Sequence, residues 1–166
     1  MNLFKFFKDP EPNDLASELI KLVTYVKIND LEMEIFKANS ISVDNYANEK
    51  LMMQISFVQS VLNGISSQYK NLFFRDVVRI FAEECSEFVK SKKFFGFESC
   101  NEMNEHIRNY YNSGVPEELV NMVFHAIRQQ TLIIKDDRIC KIFHSSFNEF
   151  VLNLRGTIVP HVKRFQ

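Results

Sequence analysis

Apolar residues recur at three- and four-residue intervals along most of this chain, the spacing of one face of an α-helix. The first stripe, Leu15, Leu19, Leu22 and Val26, follows Pro10 and Pro12, with Asn13 or Asp14 placed to cap the helix. Continued at the same spacing it reaches Met33 and Phe36, which predicts one long helix to about Ala38. Residues 24–36 carry a competing pattern. Thr24, Val26 and Ile28, the pair Asn29 and Asp30, then Leu31, Met33 and Ile35 alternate as the strands of a β-hairpin would. Asn-Asp makes a weaker hairpin turn than Asn-Gly, so helix is preferred and the hairpin stays open.

A second stripe, Leu51, Ile55, Val58 and Leu62 with Met52 beside it, follows a cap at Asp44 and is expected to end at Asn63 and Gly64. Helix is then expected to reopen at Ser66 or Ser67. Phe74, Val77, Val78, Phe81, Cys85 and Phe88 form its main stripe, and Leu72, Phe73 and Ile80 widen it beyond an ordinary amphipathic arc. The helix near residues 67–90 should therefore be the central, most buried one. Lys90, Lys92 and Lys93 at its end face the negative pole of the helix dipole.

Ser99 and Glu102 stand at capping-box spacing ahead of Met103, Ile107 and Tyr110, and Asn112, Ser113 and Gly114 close that helix. Pro116 opens the next, lined by Val120, Phe124, Ile127 and Thr131. A last helix carries Ile139, Ile142, Phe143, Phe147, Phe150, Val151 and Leu154, and is expected to stop at Arg155 and Gly156. The whole pattern predicts an all-α, single-domain bundle of about six helices over residues 1–166. Residues 1–12 form an N-terminal segment and residues 157–166 a short tail.

Composition agrees with this. Gly and Pro together number 8 of 166 residues, far below the usual share, which disfavours a turn-rich β protein. Phe numbers 17 and Trp is absent, so the expected core is rich in rings that need no hydrogen-bond partner. Burying one such ring contributes roughly 1.5–3 kcal/mol, enough that neither metal nor disulfide is required. A formal charge of -1 exerts no global pull on nucleic acid or anionic lipid. Cys85, Cys100 and Cys140 are widely spaced with no CxxC, which excludes a local thiolate zinc motif and favours a reducing compartment. No apolar run reaches the ~18 residues of a membrane span. The expected location is the cytoplasm.

Motifs that would encode chemistry are missing. The residues three before His106, His125, His144 and His161 are Met103, Met122, Lys141 and Ile158, so the Glu-x-x-His spacing of a di-metal bundle does not occur. The four glycines are isolated, so no phosphate-binding loop can be built. Glu83, Glu84 and Glu87 interrupt an apolar helix, with Glu87 four residues after Glu83 and three after Glu84. Read functionally, Glu84 and Glu87 with a distant His125 are the runner-up polar site, for an enzyme or a metal-binding protein. Read structurally, they are solvated or ion-paired carboxylates, and this reading is preferred. The stretch from Leu62 through Gly64 to Gln68 has a helix-turn-helix outline, which makes a nucleic-acid-binding regulator a third reading.

By elimination the expected function is non-catalytic, without a cofactor. The chain reads as a helical interaction module, a regulator, adaptor or inhibitor that binds a protein partner. Phe4, Phe7, Lys92, Lys93, Phe94, Phe95 and Phe97 are the candidate contact residues, because they fall outside the strongest helical stripes and aromatic anchors dominate many interfaces. Self-association through the same surface is compatible with this reading, and nucleic acid is disfavoured. Leu3, Phe4 and Phe7 beside Lys5 and Lys8 would make only a weak membrane-surface contact at this length.

Overall fold

The structure, a computed structural model, describes residues 11–38, 43–92 and 137–165. Every regular element among them is helical: α1 (Pro12–Thr24), α2 (Asp30–Ala38), α3 (Val43–Tyr69), α4 (Leu72–Lys92) and α5 (Asp137–Val162). The all-α class is as the sequence predicts. The two helices expected between residues 99 and 131 lie outside the described residues.

Pro12 opens α1, where its missing N–H costs nothing. Asp14 then accepts the Glu11 backbone N–H at 3.2 Å, so Asp14 serves as the reciprocal acceptor and the helix starts earlier than an Asn13 or Asp14 cap implies. At the other end Thr24 folds its hydroxyl back onto the Ile20 carbonyl at 2.8 Å, and Tyr25 takes an extended conformation. The long helix expected to Ala38 is therefore broken, and the hairpin alternative does not form either. Asn29 and Glu32 supply the reason. The Asn29 side chain accepts the Glu32 N–H at 2.8 Å, and Glu32 accepts the Asn29 N–H at 2.7 Å. This reciprocal capping box starts a new helix, α2, and the intervening residues turn the chain.

Helix α3 corrects the second expectation. It runs unbroken through Gly64, so the turn of a helix-turn-helix is not present there. Gly64 is exposed, and an added Cβ would meet nothing within 4 Å. A helical glycine costs about 1 kcal/mol, and covering Ile65, just beyond it and packed against the core, offsets that cost. The helix stops instead at Lys70, which adopts a left-handed φ of 48° and donates its N–H to the Ser66 carbonyl at 3.0 Å. Asn71 next accepts the Phe73 N–H on its side chain at 2.7 Å and starts α4. The expected central helix thus begins at Leu72, not near residue 67.

The core joins Leu15, Ala16, Leu19 and Val23 of α1 to Leu51, Ile55, Val58 and Leu62 of α3. Phe74, Val77, Phe81 and Cys85 of α4, and Phe150, Leu154 and Ile158 of α5, complete it. Helix α4 packs on α1 and α3, whereas α1 packs on α3, α4 and α5, so the central place expected of α4 is shared with α1. The α3 stripe is the predicted one. On α1 the stripe is rotated, with Val23 buried where Leu22 was expected, and on α4 Leu72 is 71% exposed.

Helix α5 extends past the stop expected at Arg155 and Gly156, through Pro160 to Val162. Burial of Ile158, one turn beyond Leu154, rewards the extension. Pro160 removes the bond to the carbonyl four residues back. That residue is Gly156, which is exposed, so solvent can supply the missing donor.

Candidate functional site

The described polar residues converge at one place, where the link between α1 and α2 crosses α3 and α5. Lys50 of α3 is almost wholly buried, and its ammonium lies 3.5 Å from Glu32 of α2, both side chains being 2% exposed. The same ammonium donates to the Lys27 carbonyl at 2.7 Å. Glu32 therefore carries two duties on two oxygens, capping α2 with Oε2 and facing Lys50 with Oε1. Burial pushes the Lys50 pKa below the ordinary lysine value. The Glu32 carboxylate, by charge and hydrogen bond, and Glu149 more distantly pull it back up, while Lys27 adds to the lowering.

Above this pair lies a recess of about 40 Å³ lined by Leu22, Tyr25, Lys27, Lys50, Gln54, Glu149, Phe150 and Asn153. Lys27 and Glu149 form an ion pair across it at 3.3 Å, joining the α1–α2 link to α5, and both are solvated. Such a volume holds a few water molecules, against the several hundred Å³ of a metabolite site. The Gln54 side-chain oxygen is buried without a hydrogen-bond partner. The arrangement can neutralise buried charge and fix the position of α2. Its ammonium is already engaged by a carboxylate and a carbonyl.

A second cluster lies at the N-terminal end of α4. Phe73 meets Phe74 edge to face at 5.3 Å between ring centroids, and Phe165 packs on both at 5.3 and 5.5 Å. Tyr69 of α3 approaches Phe74 at 6.4 Å, and the His161 ring stacks on Phe73 at 6.0 Å with 15° between planes. His161 Nδ1 is buried without a partner. Burial and the Arg164 charge pull the His161 pKa below its ordinary value, with Glu18 opposing them.

The sequence-derived candidates fall elsewhere. Phe4, Phe7, Lys93, Phe94, Phe95, Phe97 and His125 lie outside the described residues, and Lys92 is the last residue of α4. Glu84 and Glu87 are on the exposed side of α4, where Glu83 pairs with Arg79 at 3.1 Å and Glu87 approaches Lys90 at 3.9 Å. Among the described residues no group of three or more His, Cys, Asp or Glu side chains could hold a metal ion. No described helix is long and apolar enough to cross a membrane. Cys85 is buried within the core stripe and forms no disulfide, as its position among apolar residues implied.

Lys50, Glu32 and Gln54 were not among the candidates read from sequence. The available signal was local: Asn29 and Glu32 at capping-box spacing, and Lys50 four residues before Gln54 beside the Leu51 stripe. These features define the chain as an all-α protein with a buried ion pair and an aromatic end. None of the family models, curated proteins or solved structures compared with it matches this chain.

Proposed function

We propose that the chain is a non-catalytic helical interaction module, a regulator, adaptor or inhibitor that binds another protein through an apolar and aromatic surface. The observation that carries the reading is the N-terminal end of α4. Leu72 is 71% exposed next to Phe73, and Phe165, packed on Phe73 and Phe74, remains 39% exposed. Large apolar side chains left in water at one end, beside rings already packed on each other, suit an interface anchor. The engaged state of Lys50 and the small recess beside it also favour binding over turnover. Lys92 and Lys93 with Phe94, Phe95 and Phe97, and Phe4 with Phe7, are further contact residues in this reading. A cytoplasmic location is part of the same reading.

Photo-crosslinking groups placed singly at Leu72 and Phe95 of the full chain, with exposed Lys21 as control, test this in extract of the source cell. The expected result is one protein adduct from the first two positions, competed by excess unlabelled chain and weak from Lys21. Absence of a competed adduct at both positions would overturn the proposal. So would capture of nucleic acid with an affinity that falls steeply as salt rises.

A further inference from the structure

We propose that His161 is an acid-sensitive catch, holding residues 162–165 against the Phe73 and Phe74 end of α4 when neutral and releasing them when protonated. This inference stands whether or not that end binds a partner. The segment is tied down by few contacts. Lys163, Arg164 and Phe165 donate backbone N–H groups to Val159, His161 and Val162 within the last turns, and all three residues are exposed. Val162 packs against the core, and beyond it what attaches the segment to the body is aromatic: His161 stacked on Phe73, and Phe165 against Phe73 and Phe74.

Protonation acts at the centre of this contact. A neutral imidazole carrying its hydrogen on Nε2 leaves buried Nδ1 as a bare acceptor. An imidazolium would place an N–H donor on Nδ1 with no acceptor, beside the Phe73 ring, and bury part of a charge there. Arg164, three residues on, repels that charge, while Glu18 from α1 attracts it. From α4 the Phe73 ring faces it; Phe74 packs on Phe73 in turn, and Tyr69 of α3 on Phe74. Attraction of the cation to the Phe73 face opposes release, but it is weaker than the loss of water from the charge.

The direction follows from linkage. Burial first and Arg164 second lower the docked His161 pKa below 6.5, so the released form binds the proton more readily. Docking is fully favoured above 6.5 and weakens as pH falls from there to the docked pKa.

Nuclear magnetic resonance on the full chain tests this by two measurements between pH 7.5 and 5: titration of the His161 ring, and amide protection of Arg164 and Phe165 normalised to the intrinsic exchange rate. The expected results are a ring pKa below 6.5 and protection that falls from pH 7.5 to 5 by the factor the measured depression of the ring pKa sets. In His161→Phe, which keeps a stacking ring without a titrating nitrogen, protection should change less than two-fold. A ring pKa at or above 6.5 in the unmodified chain would overturn the proposal, and so would unchanged protection at low pH. An equal loss of protection in His161→Phe would do the same.

Discussion

Lys50→Met removes the buried ammonium while keeping an apolar stem of similar reach. The Glu32 carboxylate, 2% exposed, then loses the cation 3.5 Å away, and the Lys27 carbonyl loses a donor at 2.7 Å. Removing one partner of a buried pair costs about 3–5 kcal/mol, and an orphaned carbonyl accounts for about 1–3 of that. The recess beside Lys50 admits some water to the abandoned groups, which places the expected loss near the lower end, about 3 kcal/mol. For a chain of this size that is a fall in Tm of roughly 6–12 °C. Urea unfolding at pH 7 followed by far-ultraviolet circular dichroism measures it directly. The decisive comparison is Lys50→Met combined with Glu32→Gln. Glutamine still accepts the Asn29 N–H and preserves the start of α2, but it leaves no unpaired charge, so the double variant should recover to within about 1.5 kcal/mol of the parent. A single-variant loss under about 0.5 kcal/mol, or losses that simply add in the double variant, would refute the account of a buried pair.

Other outcomes follow from the backbone and the core. Gly64→Ala should raise stability by about 0.5–1 kcal/mol, since the position is helical, exposed and open; a loss in urea unfolding would mean a turn there. Lys70→Gly should also stabilise, by about 1 kcal/mol, because φ is 48° and a side chain is strained in that conformation. Phe81→Ala, fully buried on α4, should cost about 3–5 kcal/mol in the same assay. On the alkaline side, the docked Lys50 pKa lies below 10.5, so the unfolded chain binds the extra proton between the two values. This group alone makes stability rise with pH across that window, and the slope should be shallower in Lys50→Met.

The parts of the fold that were legible are those where one strong period ran without interruption. Leu51, Ile55, Val58 and Leu62 are the buried face of α3 as their spacing implied, and Phe74, Val77, Phe81 and Cys85 are that of α4. Breaker residues misled where tertiary burial outweighed propensity. Gly64 and Gly156 each read as helix ends, yet Ile65 and Ile158 beyond them have apolar surface to cover, and the helix carries on to cover it. Between α1 and α2 the reverse happened: Asn29 was in register with a continuing stripe, but its side chain and that of Glu32 satisfy each other's backbone groups, and this local gain starts a separate helix. The Lys50 and Glu32 pair was not legible as a pair, because capping-box spacing at Asn29 and Glu32 marks a helix start and a lysine beside the Leu51 stripe reads equally as solvated. Only the tertiary fold, which sets Glu32 of α2 against Lys50 of α3, brings them together. The aromatic end was half legible: Phe73 was expected on the widened stripe, whereas its contacts with His161 and Phe165 depend on α5 outlasting Gly156.

The two-residue joint at Lys70 and Asn71 bears on the order in which the molecule assembles. It makes α3 and α4 an antiparallel hairpin whose contacts close over a short loop, so little chain entropy opposes their early pairing. The link between Lys27 and Glu149, by contrast, spans 122 positions of chain. Substitutions inside the hairpin should accordingly slow refolding, whereas those on α5 should mainly hasten unfolding, a kinetic division set by where one lysine turns the backbone left-handed.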